Sequence, residues 1–91
     1  MRKRIVLPLS SIDSMNGFHD LVASMLEFPS YYGRNLDAFR DGITDNIEDI
    51  DIVLVGVSAL PDDLKSELTA YVELLREYQE KSNGKLKLFL E

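Results

Sequence analysis

Apolar positions along the chain follow two kinds of pattern. Three short runs have the composition of strands: Arg4-Ile5-Val6-Leu7, Asp51-Ile52-Val53-Leu54-Val55-Gly56-Val57 and Lys85-Leu86-Lys87-Leu88-Phe89-Leu90. The middle run is apolar at both alternating sets of positions, which suits a strand buried from both sides. The last begins with clean alternation, as an edge strand does.

Between these runs the period changes to that of a helix. Phe18, Leu21, Val22 and Leu26 recur at i, i+3, i+4 and i+8, with Ser14 or Asn16 as the N-cap. Leu36, Phe39 and Ile43 form a second stripe behind Asn35, the expected N-cap. Leu64, Leu68, Tyr71, Val72 and Leu75 form a third, predicting a long helix from about Pro61 to Glu80, which Asn83-Gly84 stops and turns. Pro29-Ser30-Tyr31-Tyr32-Gly33 is a short aromatic turn between the first two helices.

The order is therefore β-α-α-β-α-β. Strands joined by helical crossovers predict an α/β fold, a small, mostly parallel three-stranded sheet packed with helices. With 91 residues the chain is expected to form a single domain, 1–91, because two would each be too small to bury a core.

Composition narrows the function. There is no cysteine, which excludes disulfides, thiolate catalysis and Cys-ligated metal centres. The basic start Met1-Arg2-Lys3-Arg4 is followed by an apolar run that meets Pro8 at once, too short for a signal peptide. No stretch approaches the roughly 20 apolar residues of a membrane span. The expectation is a soluble cytoplasmic protein without membrane contact.

Net charge is -6, which argues against a nucleic-acid partner and for a basic protein partner. The charge is concentrated. The stretch from Glu27 to Asp51 holds seven acids and two bases, so nearly all of the net charge sits on the second helix and its exit. Asp37, Asp41 and Asp45 are spaced i, i+4, i+8 and share one helix face. Like charges at that spacing are mildly destabilising, and the macrodipole offsets only the first. A solvated face and a negative strip for a cationic partner both fit this pattern.

Catalytic and metal chemistry finds little support. His19 is the single histidine; it neighbours Asp20, with Ser14 and Ser24 nearby. Adjacent helix residues point in different directions and no nucleophile-elbow sequence exists, so no catalytic triad is expected. His19 is expected as a partly exposed helix side chain. The stretch Asp41 to Asp51 lacks the alternating ligands, central Gly and terminal Glu of a calcium loop. Gly33 stands alone rather than in a phosphate-cradling loop. No cofactor and no metal are expected.

The segment Phe28-Pro29-Ser30-Tyr31-Tyr32-Gly33-Arg34-Asn35-Leu36-Asp37-Ala38-Phe39-Arg40-Asp41 resembles the signature of the barstar family, small intracellular inhibitors of barnase-type ribonucleases. Tyr-Tyr-Gly-x-Asn-Leu-Asp-Ala, with a further Asp four residues after the first, is a long and specific match. Chain length and element order extend it over the whole sequence, and Leu75-Arg76-Glu77 is similar to the family's second, acidic contact point.

The resemblance implies a three-stranded parallel sheet with helices around it, and a binding surface made by the second helix and the turn before it. It implies a non-catalytic protein, monomeric and cytoplasmic, in a bacterial toxin-immunity role. Its partner would be a basic, barnase-like ribonuclease of the extracellular type, or a related toxin. By resemblance Asp41 enters the phosphate-binding pocket and Asp37 is a neighbouring acidic contact. Tyr31 packs on the enzyme's catalytic histidine. Gly33 and Asn35 lie at the contact loop and helix start, Thr44 is a polar contact further along, and Glu77 is the acidic contact on the other helix.

The residues by themselves leave alternatives open. Asn35 fits a pure cap, Gly33 a position of positive φ, and Glu77 a solvated acid. Tyr32 is expected inside and Tyr31 outside, with Leu36, Phe39 and Ile43 in the core. Two departures stand out. Arg40 replaces the tryptophan that sits beside the key aspartate in the best-known member, and it is placed to pair with Asp37 or Asp41. Asp45-Asn46 replaces a small residue and an aromatic. Both fit either a different cognate enzyme or a module kept for another basic partner without ribonuclease inhibition. Lys85 and Lys87 on the expected edge strand oppose sheet-edge pairing.

Overall fold

The computed structural model describes residues 2–46 and 49–91, so Met1, named above, and Glu48, one of the seven acids counted above, lie outside the described residues. The strands are β1 (Lys3–Pro8), β2 (Ile50–Val55) and β3 (Leu86–Leu90). The helices are α1 (Met15–Met25), α2 (Leu36–Asn46) and α3 (Asp62–Lys81), with 3-10 turns at Leu9–Ser11 and Val57–Ala59. The strands form one parallel sheet in the order β1-β2-β3, so the expected α/β class and the β-α-α-β-α-β order are those observed.

The middle run stops being a strand sooner than its apolar pattern suggests. Gly56 has φ 87°, a left-handed conformation that ends β2 after Val55 and turns the chain into a 3-10 segment. Each helix starts as local chemistry dictates. Ser14, rather than Asn16, caps α1, its Oγ accepting from the Gly17 N–H at 3.2 Å. At the end of α1 the left-handed residue is Glu27 (φ 56°), and the Phe28 N–H donates to the Ala23 carbonyl at 3.0 Å, the wrap-back bond of a Schellman-type stop. Asn83 (φ 55°) and Gly84 (φ 85°) turn α3 into β3, as expected.

Register decides which strand residues meet the helices. Ile5, Ile52 and Leu88 lie side by side, as do Leu7, Leu54 and Leu90. Apart from half-exposed Leu90, these residues join Phe18, Val22, Phe39, Ile43, Leu68 and Leu75 in one apolar core. The opposite face carries the row Val6–Val53–Phe89. Val53 is 1% exposed, yet it stands outside the helical core, and Val6 and Phe89 beside it are both more than a third exposed. β2 is thus buried from both sides as its composition suggests, none of its residues being exposed, although the helical core occupies one face of the sheet. Across the other, Arg4 reaches over the Phe89 ring (5.7 Å to its centroid) and pairs with Glu91 at 3.6 Å. No described helix is long and apolar enough to cross a membrane.

Candidate partner-binding surface

The turn before α2 is held from inside by aromatic packing. Phe28 lies 4.9 Å from Tyr32 and 6.1 Å from Phe39, centroid to centroid, and Tyr71 of α3 lies 5.2 Å from both Phe18 and Phe39. Tyr32 packs against the core, whereas Tyr31 is 86% exposed, in the arrangement expected from the sequence. A pair of adjacent tyrosines in a tight turn must face different ways, so one anchors the turn and the other is displayed.

His19 is not partly exposed, as the sequence suggested, but buried at 4%. Its Nδ1 lies 2.8 Å from the Tyr32 hydroxyl, and its ring meets those of Phe18, Tyr32 and Tyr71, each 5.6 Å away. Desolvation lowers the His19 pKa below 6.5, the nearby Arg34 charge adds to this, and Asp20 opposes it. Burial pushes the Tyr32 phenol up to about 12, with Tyr71 adding to the shift, and burial also raises Tyr71, helped by Glu67. The cluster is therefore neutral and structural, with both phenols protonated at neutral pH.

From outside, Arg34 ties the turn to α1. Its guanidinium donates to the Asp20 carboxylate at 2.8 Å and to the Asn16 carbonyl at 3.0 Å. Arg34 also has φ 57°, the left-handed conformation the sequence suggested for Gly33, so the expectation for Gly33 is corrected. A Cβ on Gly33 would lie 3.3 Å from the Ala38 Cβ, so its role is close approach of the turn to α2. Asn35 is the N-cap: its Oδ1 accepts from the Ala38 N–H at 2.8 Å and its carbonyl from the Phe39 N–H at 2.9 Å.

The exposed side of α2 has two flanks. Toward the turn, an open groove of about 530 Å³ runs between α2 and the segment 27–33. Tyr31, Gly33 and Asp41 line it, together with Glu27 and Asp45, so three carboxylates and an exposed aromatic share one concave surface. Toward α3, a shallower depression of about 100 Å³ gathers Arg40, Thr44 and Glu77, with Tyr78 and Lys81. The Thr44 hydroxyl bonds back to its own helix, to the carbonyls of Arg40 and Asp41 at 3.0 and 3.2 Å. Arg40 pairs with Asp37 at 3.5 Å, not with Asp41, and Asp37 itself is 90% exposed.

All eight residues singled out in the sequence thus lie on α2, on the turn before it or on the facing part of α3. Six of them divide between the two depressions, and Asn35 and Asp37 line neither, so the eight do not form one patch. Glu27, Tyr78 and Lys81 were missed. Lys81 lies four residues after Glu77 on α3, a spacing that places it on the same helix face, but nothing in sequence says that this face meets α2. Among the described residues no three His, Asp or Glu side chains come together as a metal set.

Fold and surface together define a small parallel α/β domain that displays an acidic helix and the aromatic turn leading into it. The chain belongs to the barstar family: the family profile described as "Barstar (barnase inhibitor)" matches residues 2–91. Over 90 residues it is 29% identical to the Bacillus subtilis (strain 168) protein named "Putative ribonuclease inhibitor YrdF", a match covering 98% of this chain and 99% of that protein. The family is one of inhibitors, not enzymes, and the expectation of a non-catalytic protein stands on that membership.

Proposed function

We propose that this protein inhibits a barnase-type ribonuclease by laying α2 and the 29–33 turn over the enzyme's active-site cleft. The observation that carries the reading is the groove in which Asp41, Asp45 and Glu27 converge beside exposed Tyr31. A ribonuclease grips the scissile phosphate with cationic side chains. Carboxylates on a preformed surface satisfy the same donors through charge-assisted hydrogen bonds. Asp41, at the middle of α2, takes the place of the phosphate, and Asp37 and Asp45 lie one turn to either side. Tyr31 offers a flat ring to the catalytic histidine. Asn35 and Gly33 hold the turn against the helix, and Thr44 and Glu77 extend the contact toward α3.

The reading makes the protein a cytoplasmic monomer that guards its host against a toxic ribonuclease. Basic residues on both open edges of the sheet support the monomer, since exposed Lys3 and Arg4 lie on β1 and exposed Lys85 and Lys87 lie beside and on β3.

The test is a titration into a barnase-type ribonuclease, following RNA cleavage. Stoichiometric inhibition is expected. Asp41→Ala should weaken it by about 2–5 kcal/mol, the cost of leaving a desolvated cation unpaired. Asp63→Ala, at the exposed start of α3, should leave it unchanged. Equal small effects of the two variants would sink active-site occlusion by Asp41. A second reading, a different basic partner on the same flank, is favoured by exposed Arg40 where the family's best-known member has tryptophan. It predicts salt-sensitive binding of a basic protein with no effect on RNA cleavage.

A further inference from the structure

The charge on α2 is not uniform around its exposed side. At 3.6 residues per turn, Arg40, Thr44, Asp37, Asp41 and Asp45 follow one another around the helix from the α3 side to the turn side. The turn-side groove holds three carboxylates and no base. The α3-side depression holds Arg40 and Lys81 against Glu77. Arg40 has only a long 3.5 Å pair with exposed Asp37, and Lys81 makes no ion pair among the described residues. Exposed pairs of that kind contribute little, so both cations are available to a partner.

This arrangement conflicts with a uniformly basic partner. A cation facing Arg40 across a drying interface would meet like charge, at a cost of several kcal/mol. On the reading of α2 as a ribonuclease-covering surface, we propose that this chain selects ribonucleases whose basic cleft carries an Asp or Glu on the rim facing α3. Arg40 and Lys81, two cations against the one acid Glu77 in that depression, hold that carboxylate. The planar guanidinium of Arg40 pairs with it bidentately, and the Lys81 ammonium adds a point charge from the neighbouring helix. The acidic flank thus recognises what ribonucleases of this type share, and the cationic flank recognises what distinguishes one from another.

The test uses a set of catalytically inactivated barnase-type ribonucleases, half with acidic and half with basic side chains on the cleft rim. Association and dissociation rates are measured by surface plasmon resonance. Acid-rimmed members should bind about tenfold or more tightly than base-rimmed ones, and R40E/K81E should reverse the order. K85E/K87E, which changes net charge equally near and on β3, should leave the order intact. If R40E/K81E shifts no affinity by more than about twofold while Asp41→Ala weakens every complex, the cationic flank has no selective role and the ribonuclease reading survives. If no member binds, or Asp41→Ala costs nothing, that reading falls and this inference with it.

Discussion

The His19 Nδ1 and the Tyr32 hydroxyl lie 2.8 Å apart, which ties α1 directly to the turn leading into α2. The two residues are 13 apart in sequence; the His19 ring also meets Phe18 and Tyr71, and the Tyr32 ring meets Phe28. Tyr32 is thereby fixed from within while Tyr31 is displayed. A turn fixed in this way loses less conformational freedom when a partner covers it, so more of the contact energy remains as affinity.

Burial of His19 makes stability depend on pH. The His19 pKa is lowered from 6.5 in the folded protein, chiefly by burial. Below 6.5 the unfolded chain takes up a proton that the native state resists, so the unfolded state binds more protons and stability falls with acidification. The loss starts near pH 7 and continues down to the folded-state pKa. His19→Gln removes the titrating group, so its unfolding midpoint in urea should change less than that of the wild type between pH 7.5 and 5.5. At pH 7.5 the variant should be less stable by about 1–3 kcal/mol, through the disturbed, part-buried hydrogen bond to Tyr32. A wild-type curve parallel to the variant's would remove His19 as the source of acid sensitivity.

Asn35 separates two roles that overlap in sequence. Its side-chain oxygen is engaged by the Ala38 N–H, and its amide nitrogen reaches the Gly33 carbonyl only at 3.4 Å. Asn35→Ala should cost about 1 kcal/mol in thermal or denaturant unfolding through the lost cap. Asn35→Ser keeps a capping oxygen and should restore most of that. Because the Asn35 amide is engaged within the turn, Asn35→Ser should also bind a ribonuclease partner as the wild type does. A drop in its affinity at unchanged stability would show that the amide touches the partner.

Local signals were readable from the sequence wherever one stretch of chain contains its own cause. Strand runs, the Asn35 cap and the Asn83-Gly84 stop all depend on neighbours a few residues away. What was not readable depends on distant packing. Whether His19 faces inward is decided by Tyr32 and Tyr71, which arrive from the turn and from α3. That the helical core lies on one face of β2, leaving Val53 buried on the other outside that core, follows from where three helices settle, not from its apolar composition. The left-handed residue of the turn is Arg34 rather than Gly33 because the chain reserves Gly33 for contact with Ala38 and fastens Arg34 to α1. Resemblance pointed to α2 and the turn before it as the proposed surface, but the division of that side into an acidic and a cationic flank appears only when Lys81 is brought beside Arg40.

Gly42 shows how closely α2 is fitted to the turn. A Cβ there would approach the Phe28 ring to 2.8 Å at Cζ and 2.9 Å at Cε1, closer than carbon atoms pack. The ring has little room to withdraw, because Phe28 is buried and packed on Tyr32 and Phe39. In an unconstrained helix, replacing glycine with alanine would add up to about 1 kcal/mol of stability. Here overpacking of about 1–3 kcal/mol opposes that gain. Gly42→Ala should therefore destabilise the protein by about 1 kcal/mol net, read as a lower urea midpoint at unchanged slope. Because Gly42 also lines the acidic groove between Asp41 and Phe28, the displaced ring should move the turn that carries Tyr31. Affinity for a ribonuclease partner should fall with it, although no charged group has changed. Phe28→Leu combined with Gly42→Ala gives the new methyl room, and the pair should lose less stability than the two single changes added together. Additive losses would mean that the helix accommodates the methyl by shifting elsewhere, and that α2 is not positioned by its contact with Phe28.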